Sequence, residues 1–395
     1  MRQLQILAVI GLLGLSSCVE DVKDCPEIFI DNSKLNTSVD ISLLVDTISI
    51  IELNEPADNL MGDIIKAEAG IDRYFFYDLH TNKINAFFKD GRFDRTVSKA
   101  GERSEDPLNI TNFWVRDGNQ IQVYDFAQMK IFDYDSQLRF KRSIRSTQFN
   151  HFNSIKPIPN SKGYVGYASY NMFNDPYNGK FFQLAFLDSN LKIYKSELHY
   201  PEKYEGILLL TYPEHFYKFR DTLRFFKAYD NTIYSITKTG TTPAYRIFYK
   251  KNGLPDNIFS IIDTHLTEFK DQRSKKINTL NNYFADYVRF SGGWIETKKY
   301  ILITSFQKDP RYNNRFYSIV SRPDNKVVFS ARTLYVANAY KMKLPPFTCM
   351  DSYTNEIISV IDGSALFKLL SNESKFVHHI DNTPQKIYLV KVKLK

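Results

Sequence analysis

The sequence predicts an all-β chain folded as a six-bladed β-propeller with four-stranded antiparallel blades. Three observations predict it. Phe and Tyr number 31 and 26 and lift the aromatic fraction to 15%, an enrichment that suits pleated strands, on which flat rings pack well. The stretch "YDLHTNKINAFFKDGRFDR" at 77–95 returns 47 positions later as "YDFAQMKIFDYDSQLRFKR" at 124–142. Tyr77, Asp78, Lys83, Ile84, Arg92, Phe93 and Arg95 thus meet Tyr124, Asp125, Lys130, Ile131, Arg139, Phe140 and Arg142 without a gap, and a period of about 40 to 50 in a β-rich chain is that of propeller blades. Finally, strand-like segments from both chain ends can meet in one blade, which removes the free edge of an open ring.

The elements follow in order. Blade one reads "DIIKAE", "RYFFYD", "KINAFF" and "RFDRTV"; blade two reads "NITNFWV", "NQIQVYD", "MKIFDY" and "LRFKRSI". Asp90-Gly91, Asp117-Gly118 and Asp135-Ser136 supply turn chemistry between them. Blade three is "NSIKPIP", "GYVGYAS", "KFFQLAFLD" and "LKIYKSEL", and blade four is "FYKF", "TLRFFKAYD", "NTIYSITK" and "AYRIFYK". The strand grammar then stops. Over 256–270, Ile258, Ile261, Ile262, His265, Leu266 and Phe269 fall at helical spacing behind Asp256 as N-cap, so an amphipathic helix is expected within an insertion of 254–287. Blade five resumes with "GGWIET", "KYILITS", "RFYSIVS" and "KVVFSA". The sixth combines "FTCMD", "EIISVI" and "KIYLVKVKL" with the early strand "DTISIIEL" at 46–53.

The first residues read as an address. "MRQLQILAVIGLLGLSSC" has a positive start, an apolar run from Leu4 to Leu15 and small residues before a cysteine, the pattern of a secretory signal. A helix of that run is about 18 Å long, too short for a bilayer core of about 30 Å. Leu15-Ser16-Ser17-Cys18 resembles the lipobox of bacterial lipoproteins, which implies cleavage after residue 17, acylation of Cys18 and attachment to a membrane through the acyl chains. Residues 18–39, with Glu20, Asp21 and Asp24, are expected to form an acidic tether, and 40–395 the propeller. Acylation of Cys18 leaves Cys25 and Cys349, either as free thiols or as one long-range disulfide. The net charge of +8 is dispersed among acids; without a concentrated basic stripe a nucleic-acid partner is not expected.

With these pieces in view the chain resembles the six-bladed β-propeller lipoproteins of Bacteroidota, whose architecture is related to that of NHL-type propellers. The segments that carry the resemblance are the lipobox, "NKINAFFKDGRF" at 82–93, "DNTIYSITKTGTTPAYRIFYKKNGLPD" at 230–256 and "DNTPQKIYLVKVKLK" at 381–395. It implies the fold and an outer-membrane location, facing the periplasm or the cell surface, and brings no settled activity. The sequence departs from the family at "KAGERSEDPLNI", where a Gly- and Pro-rich loop ending in Glu is common.

Catalytic and cofactor signatures do not appear. No G-x-S-x-G, phosphate loop, Cys-x-x-Cys, EF-hand or H-E-x-x-H occurs, and no cofactor is expected. His378 and His379, with Asp381 nearby, are adjacent in a turn and poorly spaced for a metal. The repetition of Asp78 and Asp125 points to a turn role, leaving His80 and Asp90 as the unrepeated residues of that stretch. Long loops at 170–182, 212–221 and 307–317 mix aromatics with Asn, Asp and Arg, and Tyr177, Tyr212, Phe216, Tyr312 and Arg315 are the candidate binding residues. The sequence therefore favours a module that binds a glycan, peptide or protein partner over an enzyme. A hydrolase or lyase with channel carboxylates, alone or with a calcium ion, is the alternative, and so is a structural subunit of an envelope complex that docks through the helix at 256–270.

Overall fold

A computed structural model of the chain describes residues 25–57, 60–99, 101, 106–116, 118–146, 152–169, 179–201, 204, 214–227, 230–255, 258, 287–307 and 315–395. The signal segment, Cys18, the expected helix apart from Ile258, and Tyr177, Tyr212 and Tyr312 lie outside the described residues. The chain enters through β1 (Glu27–Ile30), β2 (Asn36–Asp40) and β3 (Val45–Leu53). There follow β4 (Ile64–Ala69), β5 (Arg73–Asp78), β6 (Lys83–Phe88) and β7 (Phe93–Lys99), then β8 (Asn112–Val115), β9 (Ile121–Asp125), β10 (Lys130–Tyr134) and β11 (Phe140–Arg145). The next two sets are β12 (Ser154–Pro157), β13 (Tyr164–Tyr167), β14 (Phe182–Leu187), β15 (Ile193–His199), and β16 (Phe216–Phe219), β17 (Thr222–Phe226), β18 (Thr232–Thr237), β19 (Gly240–Tyr249). The last are β20 (Val288–Glu296), β21 (Tyr300–Gln307), β22 (Arg315–Ser321), β23 (Val327–Val336), β24 (Met342–Lys343), β25 (Cys349–Asp351), β26 (Glu356–Asp362) and β27 (Ile387–Leu394).

These strands form six sheets, each built on a meander of four antiparallel strands. The first strands adjoin in turn: β4 lies against β8, β8 against β12, β16 against β20, β20 against β25, and β25 against β4. The sheets thus stand around a central channel as a β-propeller, with the first strands innermost. Closure is made as the sequence predicts, by a sheet ordered β25-β26-β27-β3 in which Leu389 pairs with Ile51 and Val392 with Ile48. No helix among the described residues is long and apolar enough to cross a membrane.

Packing explains the residue choice. A middle strand is covered on both faces by the neighbouring sheets, so it reads as a continuous apolar run, as a doubly covered strand should. β14, "FQLAFL", is buried throughout, and β5, "RYFFYD", is buried from Tyr74 onward. The outer strand β11, "FKRSIR", has solvent on one side and carries its charges there. The 47-residue echo is geometric as well: Asn82 and Met129 both have φ near +54°, and Gly91 and Leu138 occupy equivalent left-handed turn positions at φ +91° and +62°. At Gly91 a side chain is also excluded by contact, because an added Cβ would lie 2.2 Å from the Glu52 carbonyl oxygen of the closing sheet.

One expectation is corrected and one left open is resolved. The segment assigned to the tether is folded from residue 27: β1 adds in parallel to the outer edge of β19, and β2 in parallel to that of β23. Ile28 and Ile30 are buried there with Ile247 and Tyr249, so two covered edges outweigh the acidic, tether-like start. Before the last strand Asp362 caps helix α1 (Gly363–Leu369) by accepting from the Ala365 N–H at 2.8 Å. Cys25 and Cys349 are free thiols: Cys25 precedes β1 at the rim, while Cys349 begins the innermost strand β25 of a different sheet.

Candidate functional site

The channel encloses a cavity of about 1200 Å³. Its wall is set by the innermost strands, whose free edges face the axis, and charged residues interrupt their otherwise apolar runs. Lys66 and Glu68 come from β4, Asn112 from β8, Ser154 and Lys156 from β12, and Glu214 from just before β16. Lys66 Nζ lies 2.8 Å from Glu214 Oε2 and 3.4 Å from Glu68 Oε1; Lys156 Nζ lies 2.8 Å from Glu68 Oε1 and 3.4 Å from Glu214 Oε2. Lys66 also donates to Asn112 Oδ1, and Glu214 accepts from the Phe216 N–H at 3.2 Å. Two cations and two anions therefore alternate across three sheets. Burial acts to raise the Glu214 carboxyl, but Lys156 and Lys66 outweigh it and hold the group down at about 2.

A second charged group lies further along the channel. Glu296, fully buried at the end of β20, receives Arg224 Nε at 2.6 Å and Nη2 at 3.3 Å, and Trp294 Nε1 at 2.8 Å. Arg322 stands 3.6 Å from its other oxygen. The Cys349 thiol also faces the cavity, and burial pushes its pKa up, which leaves it a poor nucleophile. In chemical terms, Glu68, Glu214 and Glu296 are held as paired anions. Their ion pairs lock neighbouring sheets together, and Glu214, held well below the usual carboxylate range, is poorly suited to exchanging protons near neutral pH.

The two faces of the ring differ because every sheet is a meander. Strands one and three leave through one face into short turns such as 70–72, 89–92, 116–120 and 135–139. Strands two and four leave through the other, into connections that include 168–181, 200–215, 250–287, 308–314 and 363–386. The strand ends flanking 170–182 and 307–317 belong to this second face, as does the start of β16 within 212–221, whose last two residues turn between β16 and β17 at the first face. Arg315 opens β22 there, lines the cavity and places its guanidinium 5.2 Å from the Phe306 ring centroid. Phe216 is a correction: only 2% exposed, it packs on Phe225 at 5.1 Å between ring centroids and belongs to the core.

Asp78 and Asp125 take the turn role. Asp78 is buried and accepts from the N–H of Asp63 at 2.8 Å and the hydroxyl of Thr81 at 2.6 Å, while Asp125 accepts from the N–H groups of Leu108 and Gln128 at 2.7 and 2.8 Å. His80 and Asp90 are exposed, and Asp90 pairs with Arg92 within its own turn. Among the described residues no three His, Cys, Asp or Glu gather as metal ligands. The channel charges were missed in the sequence, although lysines and glutamates within the first strand of a blade, as in "IIKAEA" and "SIKP", are the signal that finds them.

Fold and site together define the class, an all-β propeller of four-stranded antiparallel blades closed by both chain ends around a charge-paired channel. The chain belongs to the family described as Domain of unknown function (DUF4934), whose model matches residues 25–394. Among solved structures it is similar to a Bacteroides fragilis protein named for its inferred export, with a TM-score of 0.69 at 14% identity over 93% of this chain and 99% of that one. It is also similar to a member of the DUF4221 family from Bacteroides vulgatus, with a TM-score of 0.53 at 9% identity over 89% and 98% of the two chains. Comparison with curated proteins finds no match.

Proposed function

We propose that this chain is a six-bladed propeller, one blade per sheet, that acts at the cell envelope as a non-enzymatic binding module for a glycan, peptide or protein partner. One observation carries the reading: the strand ends that lead into the long connections share one face of a channel in which Glu68, Glu214 and Glu296 are already paired with lysine and arginine. Loops raised on a rigid scaffold are where recognition concentrates, and paired anions leave little acid–base chemistry beneath them. The apolar leader ending in Cys18, and the likeness to a protein named for its export, support an envelope location with a lipid anchor.

The test immobilises the purified protein against glycan and peptide arrays. Alanine at Tyr177, Tyr212, Tyr312 or Arg315 should weaken retention about tenfold per lost anchor of roughly 1.4 kcal/mol, with unchanged thermal stability. Equal retention by all four variants, or turnover of an arrayed substrate, would overturn the proposal. Incorporation of labelled palmitate by the native chain and not by Cys18→Ser checks the anchor.

A further inference from the structure

The channel interior is balanced in charge, but its mouth at the short-turn face is not. Arg116 follows β8, Lys162 stands in the turn between β12 and β13, and Lys218 lies on β16; all three line the cavity. Arg116 Nη2 reaches the Ser161 carbonyl oxygen at 3.5 Å, which sets the guanidinium beside the turn that carries Lys162. Among the described residues none of the three has a carboxylate partner. The acids that line the cavity at this end are already engaged, Glu68 by Lys66 and Lys156 and Glu296 by Arg224 and Arg322. Arg322 adds a further cation at the same face, its guanidinium 4.7 Å from the Phe219 ring centroid.

Three cations without a carboxylate partner among the described residues, from three successive sheets, thus line one concave opening. Low-dielectric walls concentrate their field at the mouth, where an entering anion loses less of the attraction to solvent than it would on a flat surface. A guanidinium fork and flexible ammonium groups are the donors that phosphate and carboxylate oxygens accept from. We propose that this mouth is a binding site for an oxyanion group, phosphate or carboxylate, on a small ligand that enters from the short-turn face. The site rests on the channel geometry alone and stands or falls independently of recognition by the long connections.

The experiment titrates the full chain with pyrophosphate and, separately, with citrate at low ionic strength, by calorimetry. Saturable binding of at least one anion is expected, and the stronger of the two distinguishes a phosphate from a carboxylate site. The double variant Lys162→Ala/Lys218→Ala should bind roughly tenfold or more weakly, and Arg116→Gln should weaken binding as well. Lys192→Ala, in an outer turn of the same face, should bind as the native chain does. Because Lys162 and Lys218 are exposed, the double variant should keep the native melting temperature without ligand, which separates lost binding from lost folding. The proposal is overturned if neither anion binds up to about 10 mM, well beyond the millimolar range of weak sites. It is equally overturned if the double variant binds as tightly as the native chain, or if Lys192→Ala loses as much as it does.

Discussion

At the scale of single residues, the charged groups of this protein divide by whether burial has been compensated. Glu214 is compensated, by two lysines. Glu55 is not: one of its oxygens accepts from the Met61 N–H at 2.8 Å, while the other is buried without a partner among the described residues. Burial, helped by the nearby charge of Asp78, pushes its carboxyl up to about 7. The folded protein therefore holds this proton more tightly than the unfolded chain, whose carboxyl ionises near the ordinary value of about 4.5. Stability is unaffected below that value, falls as pH rises from there to about 7, and stays reduced above it. Glu55→Gln, which keeps the acceptor for Met61, should match the native melting temperature at pH 4. At pH 8 it should exceed it by about 2 °C, a small figure because the group is partly screened by solvent. Thermal scans at the two values check this, and a constant difference between them would contradict the assigned cause.

At the scale of elements, β1 and β2 show how a propeller manages its outer edges. Each lies in parallel on the exposed side of an outermost strand, so the entering chain binds the rims of two successive sheets before completing a third through β3. The contribution of β1 is concentrated in Ile28 and Ile30, both buried against Ile247, Tyr249 and Val288. Ile28→Ala should cost about 2 to 4 kcal/mol, by lost transfer energy and the cavity left behind, read as a lower midpoint in urea. Phe29 points outward and stacks on Phe248 at 5.1 Å while 65% exposed, so its alanine variant should cost far less. The meander strands were legible in the sequence because aromatic runs and turn residues mark them locally; "RYFFYD" and "KINAFF" are β5 and β6 to the residue. β1 and β2 were not legible, because "EIFI" and "NTSVD" are short and their partners lie about two hundred residues away or more. The same limit hid the site: that Lys66, Lys156 and Glu214 meet depends on ring geometry, which no local pattern encodes.

At the scale of the whole molecule, stability depends on one closure. β27 is the middle strand of the joining sheet, bonded to β26 on one side and β3 on the other along its full length. The Lys395 N–H donates to the Leu44 carbonyl at 2.9 Å, so hydrogen bonding runs to the last residue. Its side chains Leu389, Val390 and Val392 are almost fully buried in two different core clusters, which ties the closing sheet to both neighbours. Deleting residues 387–395 would leave β3 without a partner and β26 with a bare edge, in a ring that needs every interface to bury its apolar faces. Unpaired edges of this kind invite association between chains. The truncated chain should therefore fail to accumulate as a soluble monomer. Val390→Asp, which buries an unpaired charge at the same place, should reproduce the failure without shortening the chain. Deleting Lys395 alone removes one edge hydrogen bond and should lower the melting temperature by no more than about 2 °C. Size-exclusion chromatography of the three variants distinguishes a ring held by its closing sheet from one whose remaining sheets suffice. A soluble, monomeric 1–386 chain with the native melting temperature would show that they suffice.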